Sequence, residues 1–285
     1  MNTAFKPELE GLQWSEDGYA ALSGNLLDWS TALDSEFLRW GKEIGAVDHR
    51  YPTLIPTASL APVAYLKSFP HLATFALTAD RNPETLTKLS TAGEADISSE
   101  LTEPISQLLT PAACYHIYPR LAGQNLAEPK FVTTRCQCHR REEFYLPLQR
   151  QWCFEMRELV CLGDEETVAN FIEDCQQRID ALARRLGIQA DWKIASDPFF
   201  DPAADPKALA QQLAPSKYEL CLDNGLAIGS TNRHRSFFGE SYDIRLDEKP
   251  VSSACVAFGI ERWLYAMATT HGPLISAWPA PGEAQ

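Results

Sequence analysis

A chain of 285 residues with 45% hydrophobic and 22% charged side chains has the composition of a globular α/β domain, and it shows neither a low-complexity tract nor a solenoid repeat. Its 38 acidic residues outnumber the 25 Lys and Arg to leave −13, which opposes steering toward a polyanion unless the cations gather on one face. No apolar run approaches the roughly 20 residues of a membrane span, and MNTAFKPELEG lacks the basic and apolar regions of a secretory signal; the expectation is one cytoplasmic domain over 1–285 with its eight cysteines reduced.

Residues 1 to about 45 read as a helical segment, because Leu22, Leu26, Leu27, Trp29, Leu33, Phe37, Leu38 and Trp40 recur at three- and four-residue steps. The prolines of HRYPTLIPTASL predict an extended approach to a helix over about Ala58 to Tyr65, with SFPHLATFAL following as a strand. Asn82 to Ser106 reads as a polar helical excursion plus loop. ACYHIY, residues 113–118, is expected as a short buried strand, and FVTTRCQC, residues 131–138, alternates as a strand up to the charged cluster HRREE. RQWCFEMRELVCL returns as a second strand, so the two predict a hairpin around a charged loop. GDEETVANFIEDCQQRIDALARRLG has acids first, bases last and Gly187 as a stop, with Val168, Phe171, Ile172, Cys175, Ile179, Leu182 and Leu186 on one helical face. Beyond a Pro/Asp-rich connection, Ser196 to Pro206, two strands are expected about the turn Asp223-Asn224-Gly225. SSACVAFGIERWLYAMAT reads as one buried helix with a serine cap, and residues 270–285 as a frayed tail.

A site that activates a carboxylate with a nucleotide needs a fixed cation where charge develops on the α-phosphate and a flat apolar face for the base. Arg140 and Phe154 of the hairpin can supply these, although a charged hairpin taken alone is more often a solvated surface. Arg262 is a guanidinium in an otherwise apolar helix. Burying it without an anion is expensive, so it requires a phosphate, a carboxylate or an exit to solvent.

Together these segments resemble class II aminoacyl-tRNA synthetases over about residues 48–270. Arg140 and Glu142, with Arg150, Phe154 and Glu158, resemble the family's motif 2. Phe258-Gly259-Ile260-Glu261-Arg262 resembles motif 3, and the prolines near Tyr51-Pro52 its motif 1. The resemblance implies an α/β (α+β) catalytic domain, a mostly antiparallel sheet flanked by helices, that forms a homodimer through motif 1. It implies that Arg140 holds the α-phosphate and substrate carboxylate, Glu142 meets the adenine amino group, Phe154 and Arg262 sandwich the ring, and Arg150 reaches the outer phosphates. Arg140 and Arg262 are then the catalytic cations. The implied reaction is in-line attack of an amino-acid carboxylate on ATP carried with Mg2+, which needs positioning and electrostatics and no protein base.

Cys114, Glu158 and Cys255 announce no compact metal spacing, and from pattern alone they are structural. The resemblance reads them otherwise: they are similar to the zinc set of methanogen-type seryl-tRNA synthetases and of the related amino acid:[carrier protein] ligases, with Cys114 ending a strand and Cys255 opening the motif 3 helix. Three protein ligands leave one tetrahedral position for the substrate's α-amino nitrogen, which favours small amino acids. Cys136-x-Cys138-His139 resembles half a zinc knuckle but lacks a second pair; it is read as core, as are Cys153, Cys161, Cys175 and Cys221. Lys217-Tyr218-Glu219 and Ser230-Thr231-Asn232-Arg233-His234 resemble the strands lining the family's amino-acid pocket, with Glu219, Ser230 and Asn232 as the candidate contacts. Ala227 stands where bacterial seryl-tRNA synthetases place a magnesium-binding acid, which leaves the magnesium ligands unassigned.

A seryl-tRNA synthetase carries a large amino-terminal tRNA-binding domain, whereas about 45 residues precede motif 1 here. The expected class is therefore the ligases that transfer glycine or alanine to the phosphopantetheine thiol of an acyl or peptidyl carrier protein, with no tRNA and no membrane. A seryl-type synthetase and a silent paralogue acting as a regulator are the alternatives, the second disfavoured by the retained Arg140, Phe154 and Arg262. Arg184, Arg185, Arg233 and Arg235 are candidates for the basic patch an acidic carrier would need.

Overall fold

The computed structural model describes residues 8–92 and 98–282. The apolar stripe of the first segment forms helix α1 (Gly24–Glu43), which buries Leu26, Trp29, Leu33, Phe37 and Trp40. A hairpin of Leu12–Ser15 with Tyr19–Leu22 precedes it and was not expected, because four-residue arms are too short to display a period of two. Residues 1–7 of the expected helical segment lie outside the described residues.

Strands β1 (Val47–His49), β2 (Lys130–His139), β3 (Cys153–Gly163), β4 (Ala190–Ala195), β5 (Lys217–Leu222), β6 (Ala227–Arg235) and β7 (Ser252–Gly259) form one sheet in the order β4-β5-β6-β7-β3-β2-β1. Neighbours are antiparallel except β1 with β2, so the sheet is mostly antiparallel, as expected. The long helices α1, α2 (Glu165–Arg185) and α3 (Ile260–His271) cover one face. Phe37, Phe171, Ile179, Leu182 and Trp263 pack there against Leu159, Cys161, Val256 and Phe258. The intervening residues Val160, Leu162 and Cys255 belong to a second core on the other face, with Cys114, Tyr118 and Phe238. Asp164 caps α2 by accepting the Thr167 N–H, and Arg184 and Arg185 close its last turn.

Several local expectations are corrected. ACYHIY is buried but helical: a tight turn, Ala113–His116, runs into a short helix, Ile117–Leu121. A six-residue apolar run fits either form, and Pro119 in a first helical turn forfeits no hydrogen bond. SSACVAFGIERWLYAMAT divides at Gly259 into β7 and α3. β7 is buried on both faces and apolar from Ala254 to Phe258, so it lacks the alternation that would have marked it. SFPHLATFAL is strand only at Phe75–Ala76, after a turn at Pro70–Leu72. The polar excursion contains helix Pro83–Thr91, and residues 93–97 lie outside the described residues. The tail is packed: Trp278 is buried edge-on against Trp29, whose Nε1 donates to the Pro279 carbonyl at 3.1 Å. Residues 283–285 are not described. Of the cysteines read as core, Cys153 is only half-buried, at the first position of β3.

Candidate active site

Residues paired directly across strands share a face, so register decides which side chains meet. Glu158 lies opposite Ala257, Ala257 opposite Ser230, and Ser230 opposite Glu219. The next row sets Cys255 opposite Asn232 and Asn232 opposite Lys217. Both rows floor a cleft of about 380 Å³ that extends to Arg140, Glu142, Arg150, Phe154 and Arg262. Every residue the sequence proposed for the site therefore lines one cavity.

At one end, Cys114 arrives from the turn Ala113–His116, its backbone N–H donating to Glu158 Oε1 at 3.1 Å. Cys114 Sγ, Cys255 Sγ and a Glu158 carboxylate oxygen lie within 4.8 Å of one another in buried surroundings, and the described residues hold no other such group. Two placements differ from expectation: Cys114 is in a helical turn, not at a strand end, and Cys255 is mid-strand, not at a helix start. The Cys114 thiol is pushed well above its ordinary range by its hydrogen bond to Cys255, then by burial beside Glu158. Burial also raises the Glu158 carboxyl, against the pull of its bonds from Cys114. For Cys255 the bond from Cys114 lowers the thiol, but burial and the Glu158 charge outweigh it. Three acids packed this closely cannot all ionise unaided, and a dication would reverse each shift. Two thiolates and one carboxylate suit a tetrahedral zinc with one open position.

The other end is made by the β2–β3 loop and the start of α3. Arg140 Nε donates to the Pro111 carbonyl at 2.9 Å, and its guanidinium lies 5.3 Å from the Phe154 ring centre. Arg262 is anchored by donating to the Gln149 and Ala227 carbonyls, both at 2.9 Å. Burial, with Arg140 nearby, lowers its pKa to about 10, so it stays cationic near neutrality. The cation facing Phe154 is thus Arg140, while Arg262 enters the same cleft on two carbonyl anchors. Arg150 pairs with Glu142 at 2.7 Å. Buried Glu261 accepts the Glu155 N–H through both carboxylate oxygens, at 2.9 and 3.1 Å, and so ties the start of α3 to β3.

Further lining residues are Lys217 and His234, which stand in stretches that resemble the family's pocket strands but were given no role, and Asp197, which sequence reasoning missed. Lys217 Nζ lies 3.0 Å from both Asp197 and Glu219. Asp197 is held in turn by Gln211 of helix Pro206–Leu213, through its backbone N–H and its carboxylate. The turn at Asp223–Gly225 alone would set Lys217 opposite Thr231, and a bulge between Leu220 and Cys221 shifts it opposite Asn232; Asp197 sits in a segment read only as a connection. His234 follows Asn232 by two residues, but β6 bulges between Arg233 and Arg235, so alternation alone does not place it. Arg233, paired with Glu165, and Arg235 also line the cleft, and Arg185 is bound to Glu36 at 3.1 Å.

The chain is 35% identical over 250 residues to amino acid–[acyl-carrier-protein] ligase 1 of Bradyrhizobium diazoefficiens, a match covering 84% of this chain and 76% of that protein. The chain belongs to the amino acid–[acyl-carrier-protein] ligases. Ligase 2 of the same organism is 33% identical over 243 residues, covering 81% of this ligase and 71% of that one. No protein-family model matches the sequence. Among solved structures, the SerRS of M. kandleri, in complex with tRNASec of A. aeolicus, superposes with a TM-score of 0.80 at 18% identity. The match covers 94% of this chain and 56% of the synthetase, so the ligase carries a class II synthetase fold over little more than half that length.

Proposed function

We propose that this ligase joins glycine or alanine to ATP as an aminoacyl-adenylate and then passes the aminoacyl group to the phosphopantetheine thiol of an acyl or peptidyl carrier protein. The observation that carries the reading is the meeting of Cys114, Glu158 and Cys255 at one end of a cleft whose other end presents Arg140, Phe154 and Arg262. A zinc ion held there would supply a Lewis acid for the neutral α-amino nitrogen of the substrate. Cys114, Glu158 and Cys255 hold the ion, while Glu219, Ser230 and Asn232 line the floor under the substrate. Ala257, flanked by Glu158 and Ser230, offers no polar group to a longer side chain. Arg140 then receives the substrate carboxylate and the α-phosphate together. Glu142 and Arg150 exchange their mutual ion pair for the adenine amino group and the outer phosphates, and Phe154 with Arg262 encloses the base.

A carboxylate oxygen attacks the α-phosphorus, the bond to the bridging oxygen breaks, and pyrophosphate departs with Mg2+. Arg140 and Arg262 oppose the charge that develops, as fixed cations in a desolvated cleft. The thiol sulfur next attacks the adenylate carbonyl; a thioester forms, AMP leaves, and the thiol proton passes to the departing phosphate or to solvent. Arg233 and Arg235 are proposed contacts for an acidic carrier. A homodimer is proposed because, among the described residues, β1 pairs only with β2, and Val47 on this edge strand is 55% exposed. No described helix is long and apolar enough to cross a membrane.

Pyrophosphate exchange with a panel of amino acids tests the first half-reaction, and addition of phosphopantetheinylated carrier or of tRNA tests the second. Exchange with glycine or alanine and charging of carrier alone are expected. Exchange with no amino acid points to a silent paralogue, and charging of tRNA to a seryl-type synthetase.

A further inference from the structure

The floor of the cleft carries one more polar side chain beside the thiols, and it belongs to none of the roles above. His234 Nε2 lies 3.6 Å from Cys255 Sγ, and its Nδ1 lies 3.1 Å from Ser253 Oγ. The ring is held edge-to-face by Phe238, with centroids 4.8 Å apart, and by Tyr118 at 6.2 Å. Ser253 is fully buried in β7, two residues before Cys255, so both partners of the imidazole come from one strand. The bulge in β6 opposite Ser253 turns the ring toward that strand.

A neutral imidazole has one donor and one acceptor nitrogen, and each nitrogen's partner sets the role of the other. Ser253 can give its hydroxyl proton to Nδ1, which places the remaining proton on Nε2, aimed at the sulfur. We propose that His234 is a positioning residue that donates its Nε2–H to the Cys255 thiolate, fixing that sulfur's direction and withdrawing charge from it when it serves as a metal ligand. The proposal rests on the zinc reading above. His234 is not itself a member of the convergent donor group, which comprises Cys114, Glu158 and Cys255.

Two thiolates and a carboxylate give three negative charges against a dication. A hydrogen bond to one sulfur relieves that excess. Outer partners of this kind typically change metal affinity by about 10- to 100-fold.

The test uses the full chain, stripped of metal and titrated with Co2+, alongside zinc affinity measured by competition with a chromophoric chelator. Wild type is expected to bind one cobalt per chain with an intense thiolate-to-cobalt band. His234→Phe should still bind one cobalt, with that band moved to longer wavelength because the sulfur is more electron-rich, and with zinc held about 10- to 100-fold more weakly. His234→Gln, which retains an N–H donor, should return part of the way. Ser253→Ala removes only the group that sets the tautomer, and it should shift the band in the same direction by less, which keeps the test open if His234→Phe does not fold. Unchanged band and affinity in both His234→Phe and Ser253→Ala would overturn the positioning role while leaving the zinc site standing. A folded His234→Phe that binds no cobalt would overturn it in favour of direct ligation. Wild type that binds no cobalt would remove the zinc reading and this proposal together.

Discussion

The two ends of the cleft are built in different ways. At the thiol end, Glu158 and Cys255 are aimed by the register of β3 and β7 in the middle of the sheet, and both residues are buried with Cys114. At the nucleotide end, Glu142 and Arg150 sit on the β2–β3 loop, outside the ladder, with side chains 22% and 41% exposed. The first end is fixed by the contacts that make the core, whereas the second depends on local clamps. Substitution at the thiol end should therefore abolish chemistry, and substitution of the residues that clamp the loop should mainly raise the ATP requirement.

The sharpest way to break this contrast is Cys255→Ala. It should empty the zinc site, read by metal analysis, and lower pyrophosphate exchange by about 10³-fold, the scale of several kcal/mol of lost stabilisation. Full exchange by a metal-free Cys255→Ala protein would refute the zinc assignment. Arg140→Ala should keep its zinc and lose roughly 10²- to 10³-fold in exchange, as expected when one fixed group that opposes developing charge is removed. If the variant keeps wild-type exchange, the α-phosphate is held by another cation.

The same contrast explains what could be read from the sequence. The β2–β3 hairpin and α2 were legible because each carries a period of its own, alternation in one and an apolar stripe over the helical turn in the other. The nucleotide residues followed from the resemblance because they cluster within one hairpin and the start of α3. Cys114 and Cys255 lie beside Glu158 but were given the wrong local structure, since a short apolar run and a central strand buried on both faces both lack a diagnostic period. Asp197 was missed, and Lys217 and His234 were placed in the pocket strands without a role, because the three come together only through cross-strand pairing, an ion pair across 20 residues and a bulge, none of which a linear pattern displays.

Glu261 offers a test at the junction between the two ends. Burial pushes its pKa from 4.5 up to about 8, even though the Glu155 N–H pulls it down. A carboxyl raised in the folded state contributes stability that is fully present below about pH 4.5 and lost as pH rises through about 8, because the folded form holds a proton the unfolded form has released. Within that window its contribution falls by at most about 1.4 kcal/mol per pH unit. Urea midpoints measured from about pH 5 to about pH 8 should show Glu261→Gln gaining on wild type as pH rises. Parallel profiles would mean that Glu261 is already ionised in the folded protein.

The smallest effect is expected at the clamp on the loop. The Gly18 carbonyl accepts the Trp152 N–H at 3.0 Å, and Gly18 has φ of +91° with no room for a side chain, since a Cβ there would lie 2.8 Å from Tyr145. Tyr19 stacks on Trp152 with centroids 5.7 Å apart, Trp152 lies nearly parallel to Tyr145, and the Arg141 guanidinium is 5.5 Å from the Trp152 ring centre. The hairpin that precedes α1 therefore grips the segment carrying Glu142 and Arg150 without touching the thiol end. Tyr19→Ala removes one stacked pair, worth roughly 0.5–1.5 kcal/mol, so the KM for ATP should rise about 2- to 10-fold. The KM for the amino acid and the zinc content should not move, because β3, β7 and the turn at Ala113–His116 keep their own contacts. If the amino-acid KM rose in step with that for ATP, the clamp would be supporting the whole cleft, and the two ends would not be independent.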